Sequence, residues 1–238
     1  MKAIHPFKAL TFFIAGLGLC TTLLTSCTRE EVCPVPVTPA RVSVTNALAG
    51  SQPINFFFDH NQLNYYGIPY GSGLEYVNAY TGSRTIDVYD TQTSIKIATH
   101  NTTFEEGKFY SVFLTGVPTS PDFMILNDDL TQPPVGNAGV RLVNLSPDAP
   151  AVDLVIQQGP TLASNIPYKG NSNFYAVAGS NTYNIEIRQA GTSNVLTSLN
   201  NVRFRNGSLY TVALEGFRST TDGHILNIKI QGNVSYVN

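Results

Sequence analysis

The sequence predicts an all-β fold arranged as two tandem β-sandwich domains, and three observations carry that prediction. Stretches such as Arg84-Thr85-Ile86-Asp87-Val88-Tyr89-Asp90 and Tyr183-Asn184-Ile185-Glu186-Ile187-Arg188 alternate with period two, the mark of strands with one buried face. Turn residues such as Gly71-Ser72-Gly73, Gly82-Ser83, Gly191-Thr192 and Asn206-Gly207 separate these runs, and no helical period follows the apolar N-terminal segment. The chain also repeats itself. Asn46 matches Asn144, Ile68-Pro69-Tyr70 matches Ile166-Pro167-Tyr168, and Ile86 and Val88 match Ile185 and Ile187. Phe104, Gly107, Tyr110, Val112, Leu114 and Gly116 return as Phe204, Gly207, Tyr210, Val212, Leu214 and Gly216. The offset drifts only from 98 to 100, so two one-residue insertions account for it.

These landmarks place a first domain over 40–128 and a second over 139–238, with a linker at 129–138 holding Pro133-Pro134. Each domain is long enough to bury a modest core without disulfides. Within Lys108–Thr115, Tyr110, Val112 and Leu114 share the face expected in the core. The other face carries Phe109 and Phe113, where the second domain has Leu209 and Ala213. Either these phenylalanines pack against the second domain or a partner, or both faces of the strand lie covered inside a larger sheet. Asp128-Asp129, at the start of the linker, reads as solvated.

Composition narrows the partners. Only 13% of the 238 residues are charged and the formal net charge is −2, with no basic block. Nothing draws such a chain to nucleic acid.

The N-terminus reads as an address. Lys2 and Lys8 precede an uncharged apolar run, and Leu24-Thr25-Ser26-Cys27 closes it. That tetrad resembles the bacterial lipobox, which implies a lipoprotein signal peptide over 1–26 and lipidation of Cys27. Arg29-Glu30-Glu31 resembles the short export signal of Bacteroidetes surface lipoproteins. A Pro-rich tether over 27–39, with Pro34, Pro36 and Pro39, favours extended chain. The expected location is therefore the outer membrane, lipid-anchored and facing outward, with the periplasmic face as the alternative.

The stretch Val140–Ile156, VRLVNLSPDAPAVDLVI, resembles the signature V-R-V-V-H-A-S-P-D-A-P-A-V-D-V of a bacterial family, domain of unknown function 4397. Ser146-Pro147-Asp148-Ala149-Pro150 matches in full, while Asn144-Leu145 replaces His-Ala. Domain one has Ala49-Gly50-Ser51-Gln52-Pro53 at the turn, so its membership rests on the repeat. The resemblance implies an immunoglobulin-like or transthyretin-like sandwich and lends no activity. Ser146, Pro147, Asp148 and Pro150 read as a structural turn, in which proline sets φ and Asp caps local amides.

Candidate chemistry is sparse. His60, His100 and His224 have no partner at metal-ligand spacing, and neither a nucleophile elbow nor a phosphate-cradling loop appears. The sequence therefore calls for no catalytic residue, metal or cofactor. The candidate ligand contacts are Asn61, Asn64, Tyr65 and Tyr66, in a loop where aromatic faces meet side-chain amides. Tyr76 and Tyr80 lie nearby in sequence. The resulting expectation is a non-catalytic surface lipoprotein that binds, adheres or scaffolds through protein contacts. A glycan-binding lipoprotein of a polysaccharide-uptake system is the alternative, and an uncharacterised hydrolase a third.

Overall fold

The alternating runs fold as strands throughout. The computed structural model describes residues 37–219 and 223–236. Residues 1–26, Cys27 and Arg29-Glu30-Glu31 lie outside the described residues, as does most of the tether. The first half holds β1 (Ala40–Asn46), β2 (Ile54–Phe58), β3 (Asn61–Gln62), β4 (Ser72–Ala79), β5 (Gly82–Asp90), β6 (Lys96–Phe104), β7 (Phe109–Val117) and β8 (Ser120–Asn127). The second holds β9 (Asn137–Asn144), β10 (Val152–Ile156), β11 (Thr161–Ile166), β12 (Tyr175–Ala178), β13 (Thr182–Gln189), β14 (Val195–Arg203), β15 (Ser208–Glu215) and β16 (Asn227–Ser235).

The halves share one topology. Strands β4-β1-β7-β8 and β3-β2-β5-β6 form the two sheets of the first sandwich, and β12-β9-β15-β16 and β11-β10-β13-β14 those of the second. In each, the opening strand pairs parallel with the seventh, β1 with β7 and β9 with β15. Other neighbours run antiparallel.

Each sandwich closes over its own core. Val42, Val44, Phe56, Ile86, Val88, Phe104, Val112 and Leu114 are buried in the first. Val140, Leu142, Leu154, Ile185, Ile187, Phe204, Val212 and Leu214 are buried in the second. Matching polar residues pin matching corners. The Tyr110 hydroxyl accepts the backbone N–H of Glu105 at 3.1 Å, and that of Tyr210 accepts Arg205 N–H at 3.1 Å. This is the tyrosine corner of Greek-key sandwiches, written twice. Asn46 donates to Ile68 O at 3.1 Å, as Asn144 donates to Ile166 O at 3.2 Å. Gly116 and Gly216 take φ of 94° and 87°, and a Cβ at Gly216 would lie 2.4 Å from Ile225 O. Only glycine fits that hairpin.

Thr38–Asn238 form one compact unit, because a third core joins the sandwiches. Phe113, Met124 and Ala47 of the first half bury against Val143, Leu145 and Ala213 of the second. The outward face of β7 therefore packs on the outward faces of β9 and β15. Phe113 is 1% exposed, and Phe109 stands edge-on to Tyr76 at 5.3 Å. Domain two covers Phe113, while half-buried Phe109 packs on Tyr76 of its own half. Thr115 Oγ1 adds a bond to Leu145 O at 2.6 Å, and Lys169 pairs with Asp122 across the junction at 2.6 Å.

Phe113→Ala is expected to cost about 3–5 kcal/mol, read as a lower urea midpoint. An unchanged midpoint would mean that this third core contributes nothing to stability.

Candidate functional site

Loop 61–66 divides into an inner and an outer part. Asn64 is 3% exposed, so it cannot meet a ligand. Its Oδ1 accepts Phe56 N–H at 2.8 Å, and its Nδ2 donates to Ile54 O, Asn55 Oδ1 and Tyr66 O. This corrects the expectation for Asn64: its amide replaces ladder partners that the two-residue strand β3 cannot supply. Above it, Tyr65 and Tyr66 are 87% and 80% exposed, with their rings edge-on at 4.8 Å. Asn61, in β3, is exposed as well. The result is an aromatic pair standing in solvent on a loop bolted from below. Tyr80 is also exposed, beside the Arg84 guanidinium, whereas Tyr76 lies elsewhere in the structure, half-buried at the junction of the sandwiches.

The proline-bracketed turn is occupied by backbone. Asp148 accepts Arg218 N–H at 2.7 Å and Ser219 N–H at 2.9 Å, and takes the Ser146 hydroxyl at 3.2 Å. Asp153 accepts Asn165 N–H and Gly191 N–H. Both carboxylates tie neighbouring loops to the corner through charge-assisted bonds. Among the described residues, no group of three or more His, Cys, Asp or Glu could hold a metal ion.

The strongest electrostatics lie at the seam between the sandwiches, and sequence reasoning missed them. Asp128 is buried, not solvated as its place at the linker suggests. Its carboxylate meets Arg141 Nη1 at 2.7 Å, with the two side chains 0% and 4% exposed. Asp128 Oδ2 also accepts Tyr76 OH at 2.6 Å and Ser111 Oγ at 2.7 Å. Arg141 donates from Nε to Thr211 Oγ1 at 2.8 Å and from Nη2 to Ser111 Oγ at 3.2 Å. Thr211 donates to Asn233 Oδ1 at 2.7 Å, and Asn233 Nδ2 reaches Tyr76 OH at 3.2 Å. Arg141, Thr211, Asn233, Tyr76 and Asp128 thereby close a ring of polar contacts across the junction. The guanidinium also stacks over Phe174 at 4.9 Å. Burial first, then the Asp128 charge, pushes the Tyr76 phenol well above its ordinary range. It stays protonated and donates.

A second buried acid sits further along the seam. Glu215 is 1% exposed, and neither carboxylate oxygen meets a hydrogen-bond donor of the protein. Burial raises its pKa to about 8, against a smaller opposing pull from Lys229. Tyr70 packs close by and is pushed up to about 12 by burial and by the Glu215 charge.

Open space follows the same seam. A pocket of about 180 Å³ is lined by Thr45, Gly71, Glu215, Lys229 and Gln231 among others. It adjoins one of about 530 Å³ that includes Arg203, Arg205 and Ser208, the two sharing Glu75 and Gly232. A third, of about 430 Å³, lies against the linker and the Phe174 loop. The sequence signal nearest to the seam is the second face of β7, which carries Phe109 and Phe113 opposite Tyr110, Val112 and Leu114.

Comparison with known proteins bears on this geometry at one point. The model of the family described as domain of unknown function (DUF4397) matches residues 40–155. That stretch belongs to the DUF4397 family. The match runs through the whole first sandwich and ends in β10, past the Ser146–Pro150 turn, so domain one is matched directly and not through the repeat alone. The DUF4397 residue Arg141 is thus the guanidinium that clamps the sandwiches together. No curated protein matches the chain. Among solved structures, it is similar to the family 26 carbohydrate-binding module CBMbc of Eubacterium rectale Amy13K, solved in complex with maltoheptaose, at 7% identity. That likeness covers 82% of this chain and 98% of that one, with a TM-score of 0.27. A candidate cell adhesion protein of Bacteroides fragilis NCTC 9343 is similar at 8% identity, covering 85% and 99%, with a TM-score of 0.21. Neither likeness is near enough to transfer a role.

Two outcomes are expected. Arg141→Leu strands the buried Asp128 charge and costs about 3–5 kcal/mol, and Asp128→Leu in the same chain restores most of it. Equal losses in the single and double variants, measured by urea unfolding, would rule out the coupling. Glu215 has a folded pKa above its unfolded one, so its contribution is complete below about pH 4.5 and declines as pH rises toward 8. Glu215→Gln should match the parent near pH 5 and exceed it by about 1–3 kcal/mol near pH 8. Thermal melts at the two pH values read the difference.

Proposed function

We propose that this chain is a lipid-anchored, non-catalytic binding module at the outer membrane, facing outward, which contacts a partner protein through Tyr65 and Tyr66. The single observation that carries this reading is an exposed aromatic pair on a loop held rigid by Asn64. Rigid, amphipathic tyrosines give large contact area at low ordering cost, and binding residues concentrate on loops borne by firm scaffolds. The non-catalytic part rests on where the burdened acids have gone. Asp128 lies sealed between the sandwiches, engaged in holding them together, and Asp148 and Asp153 are taken up by loop amides. The lipobox resemblance at Cys27 and the Arg29-Glu30-Glu31 signal support the location.

A second reading, glycan contact at the same loop, is favoured by the exposed Asn61 amide that shares the loop with the two rings.

Protease treatment of intact cells tests the location: the body should be shaved while a periplasmic marker survives, and Cys27→Ala should abolish anchoring. Resistance until the envelope is opened would place the protein inside. For the loop, Tyr65→Ala/Tyr66→Ala should leave melting unchanged and remove adherence of displaying cells to protein-coated surfaces. Loss of saturable sugar binding instead would favour the glycan reading, and no change in either would end both.

A further inference from the structure

Arg203, Arg205 and Lys229 are exposed on the second sandwich, and none has an ion-pair partner among the described residues. In a chain where only 13% of residues are charged, three cations lining a groove of two adjoining pockets make a concentration, with the buried Glu215 carboxylate behind Lys229. The groove runs along the seam, with Glu75 of the first sandwich on its wall. Folding does not ask for these cations. At the matching positions the first sandwich has Thr103, Glu105 and Met124, in the matching strands and corner turn and with the same corner bond at the neighbouring tyrosine. The repeat therefore separates what the scaffold needs from what one copy has added.

We propose that this groove binds an acidic polysaccharide, its oxyanion groups meeting Arg203, Arg205 and Lys229 in succession. A guanidinium takes a carboxylate or a sulfate through two parallel N–H bonds, and two such forks plus an ammonium suit a chain with anions at intervals. Between the cations the walls offer the exposed Ser235 hydroxyl and the half-buried Gln231 amide, each held from behind by a buried hydroxyl, that of Ser208 or of Thr45. These are partners for sugar hydroxyls. Gly232 leaves open space where a side chain would stand, so a ring can approach the backbone of β16. The net charge of −2 argues against a surface that gathers any polyanion, because no long-range positive field supports it. The site does not depend on the Tyr65–Tyr66 loop.

The test is calorimetric titration of the full chain, in a non-ionic detergent at low ionic strength, with polygalacturonate, chondroitin sulfate, neutral galactan and poly-L-glutamate. Binding to the uronate or the sulfated polymer, with none to galactan, is the expected result, and the tighter of the two names the source of the oxyanion. Arg203→Thr, Arg205→Glu and Lys229→Met install the residues of the first sandwich, so the fold should tolerate them. Together they should weaken binding by about tenfold or more, whereas Tyr65→Ala/Tyr66→Ala should leave it unchanged. The proposal is overturned by no binding to either acidic polymer, by equal affinity for galactan, or by a triple variant that binds like the parent. Equal affinity for poly-L-glutamate would also overturn it, by turning the groove into a dock for an acidic protein segment such as the Glu105-Glu106 turn of a second copy.

Discussion

Everything between the two sandwiches depends on burying Arg141. A guanidinium taken out of water is a heavy cost unless a carboxylate and further acceptors surround it. Here Asp128 supplies the charge, Ser111 and Thr211 supply hydroxyls, and Phe174 covers one face. Most of these groups engage another as well, so Tyr76 and Asn233 complete the network, in which Asp128 Oδ1 is held by the ion pair alone. The apolar contacts of Phe113 with Val143, Leu145 and Ala213 belong to the same junction. Tandem domains usually move against one another across small polar contacts. This pair is pinned by a geometry that tolerates little displacement.

Duplication makes the division of labour visible. Both copies keep the tyrosine corner, the buried Asn that ties the opening strand to its neighbour, and the hairpin glycine. These are the requirements of the sandwich. What differs lies on the faces the copies turn outward: Ser43 against Arg141, Phe113 against Ala213, Thr115 against Glu215. Those substitutions made the faces complementary, a large ring opposite a small methyl and a cation opposite the Asp128 carboxylate. The seam groove arose in the same regions.

The fold was legible because period two and the internal repeat are statements about single strands and their order. Ile86 and Val88 had to face a core, and they do. The seam was not legible, for a physical reason. Arg141 alternates with Val140 and Leu142, and alternation reads as a solvent-facing side chain. A buried arginine differs from an exposed one only through its partner, and Asp128 lies beside the linker where acids are ordinarily wet. Phe109 and Phe113 were the nearest signal, since they showed that a second face was covered. Likewise Asn64 looked like its neighbours in the loop. Only the shortness of β3 explains why its amide turns inward.

The faces that meet are equivalent ones. Ser111 and Thr211 occupy matching positions, as do Thr45 and Val143, and all four lie at the same junction. In the language of assemblies the contact is isologous, made within one polypeptide. Such a contact closes on itself, since each copy uses its own joining surface and leaves none for a third. A further repeat added to this chain could not extend the stack by the same contact.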